Sequence, residues 1–258
     1  MRTGVDPNFP WYEAHEGFSF PPPDRADPRG IVCTGGNLSP GLLLSAYSQG
    51  IFPWYSSGEP LIWWSPDPRF VLFPQELHVS GTMRKIIKKR RFRLSVDQAF
   101  GRVIRACSGV KRPGQRGTWI VPDMVDGYER LHALGYAHSA EAWLDDELVG
   151  GLYGVSLGSL FFGESMFSLV PDASKAVFIP LVWRLADEGC TLIDSQVRTD
   201  HVAGMGGRDI MRSEYLGILS AGIHHPGFRG NWGSLFPDFP ESGPWNALAG
   251  GKTANPPE

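Results

Sequence analysis

Helical periodicity appears first at Leu42, Leu43, Ala46 and Tyr47, an apolar face that Ser39-Pro40 opens and Gly50 closes. It returns at Phe100, Val103 and Ile104, predicting a helix over 97–105. Val125, Tyr128, Leu131 and Leu134 predict another over 122–134, stopped by Gly135. Two further helices are expected, over 173–188 ahead of Gly189 and over 213–221. Elsewhere the pattern shortens to strands. Val71-Leu72-Phe73 is one. Segments 137–144, 147–155 and 159–167 are apolar runs separated by Asp145-Asp146 and Leu157-Gly158, the punctuation of an antiparallel meander. A last strand is expected over 191–197. Helices, meander, helix and strand together predict an α+β fold whose sheet is mixed and largely antiparallel.

Residues 1–30 are rich in Pro and Gly and read as extended chain, and the Gly/Pro-rich end over 241–258 reads as a flexible tail. The aromatic, proline-bound stretch up to Arg69 marks a boundary, with a small N-terminal domain over 1–70 and a larger domain over 71–240. The order of elements in the larger domain resembles the GNAT-type acyltransferase fold, which alone says little about chemistry.

Composition changes this picture only in places. With 258 residues, 42% of them hydrophobic, the chain can fill a real core. No segment reaches the roughly 18 uncharged apolar residues of a membrane span, so no membrane partner is expected. Cys33, Cys107 and Cys190 are scattered and hold no metal spacing, and no apolar run of signal-peptide type is present near Met1, so a reduced cytoplasmic compartment is expected. His224-His225-Pro226 lacks further ligands, and no metal site is expected.

Charge is more informative. The net charge is −3, yet Arg84, Lys85, Lys88, Lys89, Arg90, Arg91 and Arg93 place seven cations in ten positions with no acid among them. On a helix over 80–91, Arg84, Lys88 and Arg91 share one face. Like charges four apart repel, so this is either a solvated face or a surface that meets phosphates. Among nine Trp, Trp54 and Trp119 lie in loop-like segments, where an indole is either core or a platform for an unpaired base. Glu164, inside the apolar run Phe161–Phe167, must find a partner or face a cleft. Asp194 and Gln196 are two apart on the expected strand and point to one side. They form either a private hydrogen-bonded pair or a functional one, in which Asp194 orients Gln196 and the amide carbonyl accepts a proton from an amine. No Gly-x-Ser-x-Gly elbow is present to suggest covalent catalysis.

Several of these segments together resemble the signature blocks of the leucyl/phenylalanyl-tRNA–protein transferase family. They are Gly50–Tyr55, Trp63–Arg69, Gly117–Ile120, Leu148–Val155, Gly163–Ser168, Ala173-Ser174-Lys175 and Leu192–Gln196, in the family's order. The resemblance implies an aminoacyltransferase of leucyltransferase type. Its donor is Leu- or Phe-tRNA, with Met a further donor side chain, and its acceptors are proteins beginning with Arg or Lys, which it marks for N-end-rule degradation. It implies that Trp54 and Trp119 hold the tRNA's terminal adenosine, and that Leu152, Phe161, Met166, Leu181 and Ile193 form the aminoacyl side-chain pocket. Glu164, Asp194 and Gln196 become the polar groups at the reaction centre. Arg84, Lys85, Lys88, Lys89, Arg90 and Arg91 bind tRNA phosphates. No cofactor is implied, because the tRNA ester carries the energy, and a monomer is expected. Three other classes stay open from the residues alone. One is an RNA-end-binding module without turnover; another is a glycoside hydrolase using Glu164 and Asp194 as its acid–base pair. The third is a GNAT enzyme using acetyl-coenzyme A, which no Gly-rich pyrophosphate loop supports.

Overall fold

The computed structural model describes residues 4–110 and 120–240; Trp119 and the segment 241–258 lie outside the described residues. In chain order the elements are β1 (Ile31–Thr34), α1 (Pro40–Ser48), β2 (Phe52–Pro53), β3 (Ile62–Trp64), β4 (Arg69–Leu72), α2 (Gly81–Lys88), β5 (Arg93–Val96), α3 (Phe100–Ser108) and α4 (Pro122–Ala133). The meander follows as β6 (Ala137–Leu144), β7 (Glu147–Leu157) and β8 (Leu160–Ser168). Then come α5 (Ala173–Asp187), β9 (Leu192–Asp194), α6 (Asp200–Ala203), β10 (Arg208–Ile210), α7 (Arg212–Gly222) and α8 (Trp232–Leu235).

A small antiparallel sheet runs β1-β3-β2, and a seven-stranded one runs β10-β4-β9-β8-β7-β6-β5. Among the described strands only β8 and β9 pair in parallel, because α5 carries the chain back across the sheet between them. The fold is therefore α+β with a mixed, largely antiparallel sheet.

Strand alternation divides the apolar side chains between two cores. Tyr153, Phe162 and Leu192 face α1, α3 and α4, while Leu152, Phe161 and Ile193 face α2 and α5. The meander thus lies between helical layers and is buried on both faces. Close packing of α5 depends on Gly150 in β7, where an added Cβ would sit 2.6 Å from the Ala173 Cβ and 3.0 Å from its backbone. Gly150→Ala is expected to destabilise the protein by about 1–3 kcal/mol, as overpacking of a tight interface does. Urea unfolding checks this, and an unchanged midpoint would mean that α5 shifts without cost.

Two local expectations change. The basic helix ends at Lys88, with Lys89 as its cap and Arg90 in the left-handed region at a φ of 48°. Arg91 therefore leaves the Arg84–Lys88 face, although all seven cations of the run stay exposed. Arg91 and Arg93 lie over the Phe92 and Trp143 rings respectively. The helix predicted from Asp97 begins at Phe100, because Asp97 itself turns with a φ of 53° and accepts from the Ser139 and Trp232 amides.

Candidate functional site

Glu164 owes its position to a missing partner. In the β7–β8 ladder Tyr153 pairs with Ser165 and Gly154 with Gly163, so Glu164 is the extra residue of a β-bulge. A bulge re-aims its side chain and shifts the phase of the strand beyond it. Phe161 and Met166 are five apart and would face opposite sides of a straight strand, yet both belong with the α5 layer. Glu164 instead meets the helices of the other layer. It accepts from the Tyr47 hydroxyl at 2.7 Å and the Tyr128 hydroxyl at 2.9 Å, and these two hydroxyls also touch each other.

The strand predicted over 191–197 stops at Asp194, and Gln196 turns with a φ of 57°. Alternation no longer applies there, so Asp194 and Gln196 do not pair through their side chains as expected. Asp194 instead accepts from the Gln196 backbone amide at 2.9 Å, while Gln196 Nε2 donates to Glu164 Oε1 at 3.2 Å. Glu164 thus meets the NH₂ end of the amide, which suits its ionised form, and Gln196 Oε1 points away. The side chain that holds Gln196 is therefore Glu164.

Asp194 lies behind the wall. Arg69 Nε and Nη2 meet its two oxygens at 2.9 and 2.7 Å, the Tyr215 hydroxyl donates to it at 2.8 Å, and both charged side chains have 0% exposure. Burial opposes the Arg69 charge, but Asp194 and Tyr215 overcome this and hold its pKa above the usual arginine range. Arg69 also lies against the Phe52 and Tyr215 rings. With Asp194 sealed in this way, the hydrolase reading loses one of its two carboxylates.

The centre opens on a cleft of about 970 Å³. Leu152, Met166, Phe178 and Ile193 form its apolar wall, and Glu164 and Gln196 its polar side. Half-buried Trp54 also lines it, against the Trp64 ring at 5.6 Å. Of the expected pocket residues, Phe161 and Leu181 are not in the lining; both are buried in the core behind it. Tyr47, Tyr128, Arg69 and Tyr215 are the residues that sequence reasoning missed as parts of the centre. Among the described residues no group of three His, Cys, Asp or Glu could hold a metal, and no helix is long and apolar enough to cross a membrane.

Burial pushes the Glu164 carboxyl up to about 7, against the opposing hydrogen bonds from Tyr47 and Tyr128, with Asp194 adding to the rise. Burial likewise keeps both tyrosines protonated, their pKa values well above the usual range. Between pH 4.5 and about 7 the folded protein keeps a Glu164 proton that the unfolded chain has lost. Stability therefore falls as pH rises through that window and levels off above it, by at most about 1.4 kcal/mol per pH unit for one proton. Glu164→Gln is expected to remove this slope in urea unfolding at pH 5 and pH 7.5. A wild-type-minus-variant difference equal at both pH values would show that Glu164 titrates normally.

The cleft thus sets an apolar wall of Leu152, Met166, Phe178 and Ile193 beside the Glu164–Gln196 pair. The family model described as leucyl/phenylalanyl-tRNA protein transferase matches residues 71–220, and the model of that family's N-terminal domain matches 36–67. A leucyl/phenylalanyl-tRNA–protein transferase of Anaeromyxobacter sp. (strain Fw109-5) is 55% identical over 214 residues, covering 83% of this chain and 91% of its own. That of Myxococcus xanthus (strain DK1622) is 53% identical over 213 residues, covering 83% and 91%. The chain belongs to the leucyl/phenylalanyl-tRNA–protein transferase family, and is an aminoacyltransferase. L-PGS from Bacillus licheniformis aligns at a TM-score of 0.34 and 16% identity, over 53% of this chain and 48% of that one, too low to carry an argument.

Proposed function

We propose that this chain transfers Leu or Phe from aminoacyl-tRNA to the α-amino group of proteins that begin with Arg or Lys, forming the peptide bond that marks them for N-end-rule degradation. The observation that carries this reading is the Gln196 amide, anchored by Glu164 at its NH₂ end, beside the wall of Leu152, Met166 and Ile193. Gln196 Oε1 accepts a hydrogen bond from the incoming amine. That amine has an ordinary pKa of about 8, so a fraction is already neutral at pH 7 and a strong base is unnecessary. The ester is activated, and holding the amine against it supplies most of the acceleration, with effective molarity worth about 7–11 kcal/mol. Asp194 is a positioning residue that acts through the Gln196 backbone.

Flexible Met166 and the flat Phe178 ring suit unbranched-at-Cβ side chains such as Leu, Phe and Met, with Phe161 and Leu181 backing the wall. Trp54, with Trp119, stacks the terminal adenosine. The same reading gives a GNAT-type transfer domain over 71–240 behind a small N-terminal domain over 1–70; the two family-model matches meet near that seam. It makes the protein a cytoplasmic monomer that needs no cofactor.

The test is transfer of radiolabelled Leu from Leu-tRNA to peptides differing only in an N-terminal Arg, Lys, Asp or Ala. Incorporation confined to Arg and Lys peptides is expected; none at all, with tRNA still bound, would leave a binding module. The exposed run of Arg84, Lys85, Lys88, Lys89, Arg90 and Arg91 meets the tRNA backbone. Replacing Lys88 and Arg91 with Ala is expected to weaken tRNA binding and lower the slope of log K against log salt by about 0.7–0.9 per lost phosphate contact. An unchanged slope would place the tRNA elsewhere.

A further inference from the structure

Trp232, the first residue of α8, lies beyond both stretches that the family models match. It is fully buried and tethered from several sides. Its backbone amide donates to Asp97 Oδ2 at 2.8 Å, and its indole Nε1 donates to the Phe228 carbonyl at 2.8 Å. The indole stacks on the His138 ring at 3.9 Å and 2°, and the same Asp97 oxygen meets His138 Nδ1 at 2.9 Å. Phe236 packs against it at 5.3 Å. An indole held at both nitrogens and stacked on a ring in a close-packed interior is fixed, and it fixes what it touches.

What it touches is Phe161, with ring centroids 5.7 Å apart. Across the sheet His138 pairs with Gly154, and Gly154 with Gly163. An added Cβ at Gly154 would fall 2.5 Å from Phe161 Cζ, so the Phe161 ring fills the space that this glycine leaves open. The ring's Cε1 lies 3.9 Å from the Cβ position at Gly163, and Gly163 lines the cleft. Phe161 is therefore held between Trp232 behind it and the cleft in front. A wall with rigid backing has a fixed depth, and depth separates the short branched Leu side chain from the longer, flat Phe ring. Small differences of fit in an apolar pocket discriminate by about 10–200-fold. We propose that Trp232 is a positioning residue for donor choice: through Phe161 it fixes the depth of the aminoacyl pocket, and so the balance between Leu and Phe. Segment 228–236 thereby completes a pocket whose lining comes from β7, β8, α5 and β9. This inference rests on the aminoacyl-tRNA reading.

The experiment measures kcat/KM for Leu-tRNA and Phe-tRNA with an Arg-initiated peptide as acceptor. Each variant's Phe/Leu ratio is compared with the wild-type ratio, so a general loss of folded protein or of tRNA affinity cancels. Trp232→Phe keeps a ring to stack on His138 but lets Phe161 retreat, and is expected to raise the ratio about 5-fold or more. Phe161→Leu should raise it as well. Adding Trp232→Phe to Phe161→Leu should then move the ratio by less than about 2-fold, because the effect runs through Phe161. Trp143→Phe alters an equally buried indole, in β6 and in the other core, and should leave the ratio unchanged. The inference is overturned by a Trp232→Phe ratio within about 2-fold of wild type, by an equal shift in Trp143→Phe, or by effects that multiply in the double variant. If the wild-type protein transfers neither Leu nor Phe to the Arg peptide, the reading beneath it falls, and the inference with it.

Discussion

Asp194→Ala is expected to cost about 3–5 kcal/mol of folding stability, because it strands the Arg69 guanidinium in the interior without its counter-ion. Domains of this kind hold about 5–15 kcal/mol in all, so the variant sits near the edge of folding at 25 °C. The loss has three parts: the bidentate contact with Arg69, the acceptor for the Tyr215 hydroxyl, and the acceptor for the Gln196 backbone amide. Removing both charges together is milder than removing one. Arg69→Met combined with Asp194→Leu keeps the volume apolar and should unfold at a higher urea concentration than Asp194→Ala alone. A double variant as unstable as the sum of its singles would mean that the pair contributes little coupling. Transfer should fall in both, since neither keeps the acceptor for the Gln196 backbone amide. An active, stable Asp194→Ala protein would remove Asp194 from the centre altogether.

Much of this arrangement is legible in the chain, for identifiable reasons. The meander and α1, α4, α5 and α7 emerge as apolar runs because each is bounded by a Gly or a turn pair, and α4 and α7 also bury one regular face. Short strands such as β5 and β10 carry too few residues to show a period, and their pairing partners lie far off in sequence. The bulge at Glu164 is invisible to alternation, since an extra residue looks like any other until the neighbouring strand is placed. The same holds for Gln196, whose positive φ breaks a run that reads as continuous strand. Tyr47 and Tyr128 show in the sequence as members of apolar helix faces. Nothing local says that their hydroxyls converge on a carboxylate 117 and 36 residues away. Asp194 stands two residues from Gln196 in the sequence, but the fold gives its side chain to Arg69, 125 residues off, and to Tyr215, and joins it to Gln196 only through the backbone amide.

Gln196→Ala and Glu164→Gln are both expected to lower kcat for transfer by on the order of 10²–10³, the usual cost of losing one preorganised hydrogen-bonding group at a reaction centre, while tRNA affinity changes little. Gln196→Ala removes the accepting oxygen outright. Glu164→Gln acts one step back. The native carboxylate accepts from Tyr47, Tyr128 and Gln196 at once, and an amide in its place turns an NH₂ group toward donors. Gln196 then has reason to rotate, presenting its own carbonyl to residue 164 and its NH₂ to the substrate amine, where two donors face each other. Two residues that act as a unit cannot each be lost at full cost, so the double variant should be scarcely slower than Gln196→Ala alone. Losses that multiply would mean that Glu164 acts on the acceptor independently of Gln196. The pH series separates the cases further: the stability slope between pH 4.5 and about 7 belongs to Glu164 and should persist in Gln196→Ala while vanishing in Glu164→Gln.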